Sequence, residues 1–250
     1  MIRLSVFEHE HQKKLRTILG WFLFLLVYTV LSLAFIRLCA DDATAAVGIT
    51  QAREPLPVIL IDAGHGGFDG GATSADGIAE KDLNLAIAMY LRDYLRLSGV
   101  PVAMTRQTDI ELVPEKPTSG TRKRKDLLAR IEIMERYESV ILVSIHQNKY
   151  PNSRFKGLQV FYSKNDPDSE SIAAAICDAN RQLLDPENHR EIKCAGKEIL
   201  ILDAAKAPAV LVECGFLSNV AEARRLCDPS YQKKVAFTVY SALCTYLENN

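Results

Sequence analysis

Residues 140–146, VILVSIH, form a mostly apolar run that leads directly into His146, and this run is the strongest indication of the fold. A short run rich in β-branched residues is typical of a strand buried on both faces of a parallel sheet. Similar runs are Val58–Ile61, which precedes a glycine-rich turn, and Ala209–Val212, which leads directly into Glu213. The sequence therefore predicts a central sheet of buried strands, with polar side chains at several strand ends.

Helical patterns alternate with these strands along the chain. Apolar residues at helical spacing predict helices over residues 82–97, 127–137, 169–184 and about 231–247, and further strands are predicted over 100–105 and 158–162. Strands that alternate with helices indicate an α/β fold. We expect residues 57–250 to form a single catalytic domain, with a mostly parallel twisted sheet flanked by helices.

The N-terminal part has a different character. Residues 18–36 are uncharged and mostly apolar, and as a helix they would span about 28 Å, close to the hydrocarbon core of a bilayer. We predict a cytoplasmic segment over 1–17, a transmembrane anchor over 18–36 and a linker over 37–56.

The orientation of this segment follows from its flanking charges. Lys13, Lys14 and Arg16 precede it, so the N-terminus is expected in the cytoplasm and the remaining chain outside the cytoplasmic membrane. A cleavable signal peptide is the alternative, because residues 43–45, Ala-Thr-Ala, have the form of a cleavage site. The globular part would then be secreted.

Bulk composition narrows the functional classes. The 250 residues are 48% hydrophobic and carry a net charge of −1, so no basic excess supports a nucleic-acid partner. The six cysteines form no CxxC pair. We expect them to be small buried residues that stay reduced.

Four residues in short motifs are the candidate functional site: His65, Glu80, His146 and Glu213. Each alone has a structural explanation, such as a hydrogen-bonded histidine or a glutamate favoured at a helix start. Together, however, two imidazoles and a carboxylate form the ligand set of a catalytic zinc ion that keeps one position open. We predict His65, Glu80 and His146 as ligands of one Zn²⁺ ion per chain, although these groups would also hold other divalent ions.

Glu213 and the other polar residues near these motifs are not expected to bind the metal. Glu213 would accept the proton of the attacking water and pass it to the leaving group. Asn148 either hydrogen-bonds the substrate or shapes the loop after His146. Asp62 is expected to stabilise the glycine-rich turn rather than to bind metal, and Asp69 is a further carboxylate near that turn.

The four motifs, in this order, resemble the zinc-dependent N-acetylmuramoyl-L-alanine amidases of bacterial cell walls, sometimes called type 3 amidases. The resemblance covers about residues 57–248, and its most specific part is residues 208–219, PAVLVECGFLSN. It implies hydrolysis of the amide between N-acetylmuramic acid and L-alanine in peptidoglycan. It also implies the same three zinc ligands and Glu213 as the catalytic glutamate.

The layout of an anchor and one catalytic domain is most similar to the sporulation and germination amidases of endospore formers. That resemblance implies action on the spore cortex leading to muramic-δ-lactam, a location in the forming spore's outer compartment, and a peptidoglycan deacetylase acting on the product. Whether an activating protein is also a partner stays open. The alternatives are a non-catalytic membrane-anchored wall-binding module and a zinc peptidase acting on proteins.

Overall fold

The computed structural model describes residue 16 and residues 19–37, 55–113 and 121–249. The chain divides into two units, residues 1–55 and residues 56–250. In the first unit, helix α1 (Leu19–Arg37) is long and apolar enough to cross a membrane, which fits either an anchor or a signal sequence. The predicted cytoplasmic segment and linker fall almost wholly outside the described residues.

The second unit alternates strands and helices. The strands are β1 (Val58–Ala63), β2 (Val102–Met104), β3 (Val140–Asn148), β4 (Gln159–Tyr162), β5 (Lys193–Cys194) and β6 (Ala209–Phe216). The helices are α2 (Glu80–Leu97), α3 (Arg122–Met134), α4 (Asp168–Leu183), α5 (Leu200–Asp203), α6 (Val220–Leu226) and α7 (Pro229–Asn249). The predicted α/β class is confirmed.

The six strands form one sheet in the order β2-β1-β3-β6-β4-β5. All neighbouring pairs are parallel except β4 and β6, which run antiparallel. The prediction of a mostly parallel sheet is therefore confirmed. The central strands β1, β3 and β6 are buried along most of their length, as their continuous apolar runs require.

The two faces of the sheet are covered unequally. Alternate residues of β1, β3 and β6 pack with α2, α4 and α7 in the larger core, which includes Ile61, Val143 and Val212. The other set packs with α3 and α5 in a smaller core, which includes Leu142 and Leu211. Because side chains alternate along a strand, His146 and Glu213 belong to the face with the smaller core, beyond its last apolar residues.

Several boundaries differ from the sequence-based expectations. Helix α3 begins at Arg122 instead of residue 127, because the side chain of Thr121 accepts a hydrogen bond from the Arg124 N–H and caps the helix. Glu80 is the first residue of α2 rather than part of the preceding loop. The short elements β5, α5 and α6 were not predicted, since they are too short to show a periodic pattern.

The expectation for the cysteines is only partly met. The five described cysteines are all free, and Cys177 and Cys214 are buried. Cys194 and Cys227 are exposed instead. Cys39 lies outside the described residues.

Candidate metal centre

The turn after β1 brings the first histidine to the carboxyl edge of the sheet. His65 adopts a φ of 62°, a left-handed conformation that is uncommon for a residue with a side chain. The preceding Gly64 has no room for one, because a Cβ there would lie 2.2 Å from Nε2 of His146. The backbone of the turn and the imidazole of β3 therefore pack directly against each other.

Three of the predicted site residues converge at this edge. The Oε1 atom of Glu80 lies 3.2 Å from Nε2 of His65 and 3.0 Å from Nδ1 of His146. These three ligand atoms all lie within 4.8 Å of one another. The two imidazole rings meet edge to face, with their centroids 5.0 Å apart.

The electrostatics of the three groups reflect this proximity. Burial opposes ionisation of Glu80, but the hydrogen bonds and charges of His146 and His65 outweigh it and hold the pKa of this carboxyl well below its usual range. Burial likewise works against a charged His65, yet Glu80 and Asp69 raise its pKa. The carboxylate of Glu80 is thus held in its ionised form between two imidazoles. The ionised form is the one that binds a cation.

The backbone also orients Glu80. Its Oε2 atom accepts the N–H of Ala72 at 2.8 Å, and Oε1 accepts the N–H of Gln147 at 3.1 Å. A Cβ on Gly71 would come within 2.6 Å of Oε2 and 2.7 Å of the His65 ring. The carboxylate is fixed from both sides by close backbone contacts.

Asp69 holds the outer face of His65. Its Oδ2 atom lies 2.8 Å from Nδ1 of His65, which leaves Nε2 free to face Glu80. Lys123 at the start of α3 approaches the same oxygen at 3.3 Å. A carboxylate that accepts from the far nitrogen of a ligand histidine fixes its tautomer and raises its basicity as a ligand. The sequence placed Asp69 near the motif but gave it no such role.

A buried arginine supports the turn from below. Arg130 of α3 donates to the carbonyl of His65 at 2.7 Å and to that of Ala63 at 2.9 Å. The same guanidinium pairs with Asp62 at 2.6 Å and with Asp126 at 2.9 Å. Asp62 therefore acts on the turn through Arg130, which agrees with a stabilising rather than a metal-binding role.

A second arginine closes the other side of the turn. Arg106 donates to the carbonyls of Ala63 at 2.8 Å and Gly64 at 3.0 Å, and also to the carbonyl of Lys81 in α2 at 2.8 Å. The guanidinium groups of Arg106 and Arg130 thus donate hydrogen bonds to all three carbonyl oxygens of residues 63–65. This arrangement could not be predicted from the sequence, because no local pattern pairs these residues.

Glu213 lies beside His146 in the sheet. The two residues are directly paired in the β3–β6 register, so both side chains project from the same face. Its Oε2 atom is buried and has no hydrogen-bond partner among the described residues. Burial and the charge of Glu80 raise the pKa of Glu213 to about 8, against a smaller opposing effect of His65. An unpaired buried carboxyl is costly, and its position next to two imidazoles indicates a functional site.

Both Glu213 and His146 lie inside their strands rather than past their ends, which corrects the sequence-based placement. Asn148, the last residue of β3, pairs with Phe216 in the register and accepts the Leu217 N–H at its backbone carbonyl, at 2.7 Å. No hydrogen bond of its side chain is found within the described residues. Its substrate-binding role stays a prediction.

The three converging residues fit a divalent cation. Two imidazole nitrogens and one carboxylate oxygen are donors that zinc accepts, and Gly64 and Gly71 leave the space that these side chains occupy. No other group of three such donors is found in the part of the chain that the structure describes. The same donor set would accept other divalent metals.

Comparisons with known proteins point to one family. The family model for N-acetylmuramoyl-L-alanine amidase matches residues 59–245. The germination-specific N-acetylmuramoyl-L-alanine amidase of Bacillus subtilis is 34% identical over 235 residues, which cover 93% of this chain and 96% of that protein.

Solved structures agree with this match. The CwlD amidase from Clostridioides difficile, in complex with the GerS lipoprotein, superposes with a TM-score of 0.74 and 38% identity, over 78% of this chain and all of that one. The catalytic domain of CwlV, an N-acetylmuramoyl-L-alanine amidase from Bacillus (Paenibacillus) polymyxa, gives a TM-score of 0.65 and 28% identity, over 78% of this chain and all of that one.

Proposed function

The chain belongs to the N-acetylmuramoyl-L-alanine amidase family, and on that premise we propose that it hydrolyses the amide between N-acetylmuramic acid and L-alanine in peptidoglycan. The observation that carries this proposal is the convergence of His65, Glu80 and His146 within 4.8 Å, next to Glu213. Amide hydrolysis needs an activated water and a group that moves its proton, and these four residues can supply both.

We assign His65, Glu80 and His146 as the ligands of one zinc ion. When bound, zinc supplies a water of lowered pKa and polarises the scissile carbonyl. The protein contributes the orientation of the ligands. Asp69 fixes the ring of His65, while backbone N–H groups fix the carboxylate of Glu80.

Glu213 is the proton-transfer residue of this proposal. In its ionised form, Glu213 accepts a proton from the attacking water through Oε2, which has no hydrogen-bond partner among the described residues. It then returns that proton to the leaving nitrogen of L-alanine, which could not otherwise leave as an amine. Asn148, at the end of the same strand as His146, is assigned to hydrogen-bonding the substrate.

Cys214 does not compete for the role of nucleophile. It follows Glu213 in β6 and packs with the larger core on the opposite face of the sheet. Burial and the neighbouring carboxyl of Glu213 raise the pKa of its thiol strongly, so that no thiolate forms at neutral pH.

The cellular setting is proposed from the relatives and from α1. A germination-specific relative supports a role in maturation of the spore cortex, where removal of the stem peptide precedes formation of muramic-δ-lactam by way of a deacetylase. The complex of CwlD with a lipoprotein supports an activating partner of this kind for the present chain. Helix α1 supports a membrane-anchored enzyme whose catalytic domain lies outside the cytoplasmic membrane.

Product analysis tests this function directly. The full chain, solubilised in mild detergent, is incubated with purified peptidoglycan with and without a chelator, and the products are identified by mass spectrometry. We expect new free amino groups on L-alanine, no new reducing sugar ends, and loss of activity with the chelator. New reducing ends, or cleavage of casein in place of peptidoglycan, would refute the proposal.

A further inference from the structure

A row of three side chains crosses the sheet at the candidate site. Glu213 in β6 is directly paired with His146 in β3 on one side and with Gln159 in β4 on the other. Directly paired residues project from the same face, with Cβ atoms roughly 5 Å apart. Gln159 therefore lies beside Glu213, on the side away from the candidate metal ligands.

Gln159 connects this row to an arginine on the loop before β5. Its Nε2 atom donates to the carbonyl of Glu191 at 2.5 Å. Its Oε1 atom lies 3.5 Å from Nη1 of Arg190. Gln159 is only 2% exposed. Its side chain therefore lies between Glu213, with which it is paired in the sheet, and Arg190, which it contacts.

The guanidinium of Arg190 is held by aromatic rings instead of by a carboxylate. It lies 4.6 Å from the ring centre of Phe216 and 5.6 Å from that of Phe155. Its Nε atom donates to the carbonyl of Lys156 at 2.8 Å. These contacts fix the plane of the group but leave three of its five N–H donors without an acceptor in the part of the chain that the structure describes.

No carboxylate of the described residues forms an ion pair with Arg190. Burial raises the pKa of Glu222, against smaller opposing effects of two backbone N–H groups and of the charges of Arg225 and Arg190. The two oxygens of Glu222, however, accept the N–H groups of Gly157 and Phe216, both at 2.7 Å. Arg190 thus presents an oriented positive charge that has no ion-pair partner among the described residues.

We propose that Arg190 binds a free carboxylate of the substrate's stem peptide and so selects the peptide that leaves. The inference rests on the proposed amidase function. With the scissile amide over Glu213, the part of the substrate joined to its nitrogen extends towards β4, because the metal ligands occupy the other side. The α-carboxylate of the second residue of the peptide is the nearest anion on that part, and a fixed guanidinium binds a carboxylate through paired hydrogen bonds.

Two small substrates test this proposal. Both are muramoyl dipeptides with the same scissile amide, and they differ only in whether the α-carboxyl of the second residue is free or amidated. We expect the full chain to prefer the free carboxylate by about 10- to 100-fold in kcat/KM, as befits a charge-assisted hydrogen bond. Arg190→Gln should bring this ratio close to one through loss on the free substrate alone.

Two further variants separate recognition from structural damage. Arg190→Lys keeps the positive charge but cannot form two parallel hydrogen bonds to a carboxylate. This variant should retain part of the preference for the free carboxylate. Arg154→Gln removes an exposed arginine from the neighbouring loop and should keep the ratio of the unaltered chain, since its side chain has no hydrogen bond or ion pair within the described residues.

The outcomes distinguish this subsite from the reaction itself. An unaltered chain that hydrolyses both substrates equally, or an Arg190→Gln variant that loses both in equal proportion, would overturn the subsite and leave the amidase function intact. Hydrolysis of neither substrate would count against the amidase function. The preference is then read from calorimetric binding of the two compounds, and equal binding would overturn the subsite.

Discussion

Replacing Arg130 with methionine is the sharpest test of how the fold positions the first histidine. The side chain is 1% exposed and donates five hydrogen bonds: two to Asp126, one to Asp62, and one each to the carbonyls of Ala63 and His65. Methionine fills much of the same space but donates none. The carboxylate of Asp62 would keep only its two hydroxyl donors, from Thr105 and Ser144.

The expected cost follows from the charges left behind. Removing one partner of a buried ion pair destabilises a protein by about 3–5 kcal/mol, because the other charge remains buried without compensation. For a domain of this size, that corresponds to a fall in Tm of roughly 6–20 °C. Adding Asp62→Asn to Arg130→Met should recover part of the loss, since one of the two stranded carboxylates, that of Asp62, is then neutral while that of Asp126 remains.

The assay is urea unfolding of the full chain in mild detergent, followed by circular dichroism. Lys206→Met is the matched control, because Lys206 forms an exposed ion pair with Glu135 and its loss should change the free energy of unfolding by less than about 1 kcal/mol. A loss below about 1 kcal/mol for Arg130→Met, or no recovery in the double variant, would show that Arg130 does not stabilise the turn through its buried ion pairs.

Three further predictions concern the surroundings of the candidate metal centre. Gly64→Ala places a methyl group 2.2 Å from Nε2 of His146 and should abolish metal binding measured by calorimetry. The control Gly70→Ala places its methyl group in open space, with nothing within 4 Å, and should bind metal normally. Equal metal binding by both variants would contradict the geometry. Asp69→Asn should weaken zinc binding about 10- to 100-fold by releasing the ring of a ligand histidine, and unchanged affinity in the same titration would remove this role. Burial alone would raise the pKa of Asp62, but the guanidinium of Arg130 and two hydroxyl groups lower this pKa from 3.8 to about 2. The ionised carboxylate therefore contributes on the order of 2 kcal/mol to the free energy of unfolding. This contribution is present above about pH 4 and is lost as the pH falls towards about 2. Urea unfolding between these pH values should show a smaller pH dependence for Asp62→Asn, and equal slopes would contradict the assignment.

The convergence of these side chains could be predicted from the sequence because of how parallel strands meet. The apolar runs of β1, β3 and β6 each lead into a histidine or a glutamate, and the carboxyl ends of parallel strands lie at one edge of the sheet. His65, His146 and Glu213, which follow or end these runs, are therefore expected at the same edge of the sheet. Glu80 joined them because the helix after β1 begins at the same edge.

The strand bounds could not be predicted from the same pattern. Apolar residues stop at Ile145 and Val212, but backbone pairing continues through His146 and Glu213. The ladder depends on backbone N–H and C=O groups, which do not change when a side chain becomes polar. His146 and Glu213 therefore lie within β3 and β6, before the last residues Asn148 and Phe216, and not at the strand ends. They nevertheless lie towards the predicted edge of the sheet.

The stabilising role of Asp62 was predicted, but the arginines through which the turn is held were not. Arg130 and Asp62 are 68 positions apart, and neither residue belongs to a periodic pattern that would pair them. Arg190 lies on an irregular loop whose path is set by contacts with β4. Such pairs depend on the packing of separate elements, which no local pattern contains.

In the proposed mechanism three residues hold the metal and Glu213 moves the proton. The decisive measurement is of zinc content and turnover on one preparation of Glu213→Gln, beside Glu132→Gln as an exposed control. We expect one zinc ion per chain in both variants, with turnover reduced about 10²- to 10⁴-fold only in Glu213→Gln. Full turnover in Glu213→Gln, or loss of its zinc together with its activity, would contradict this division of roles.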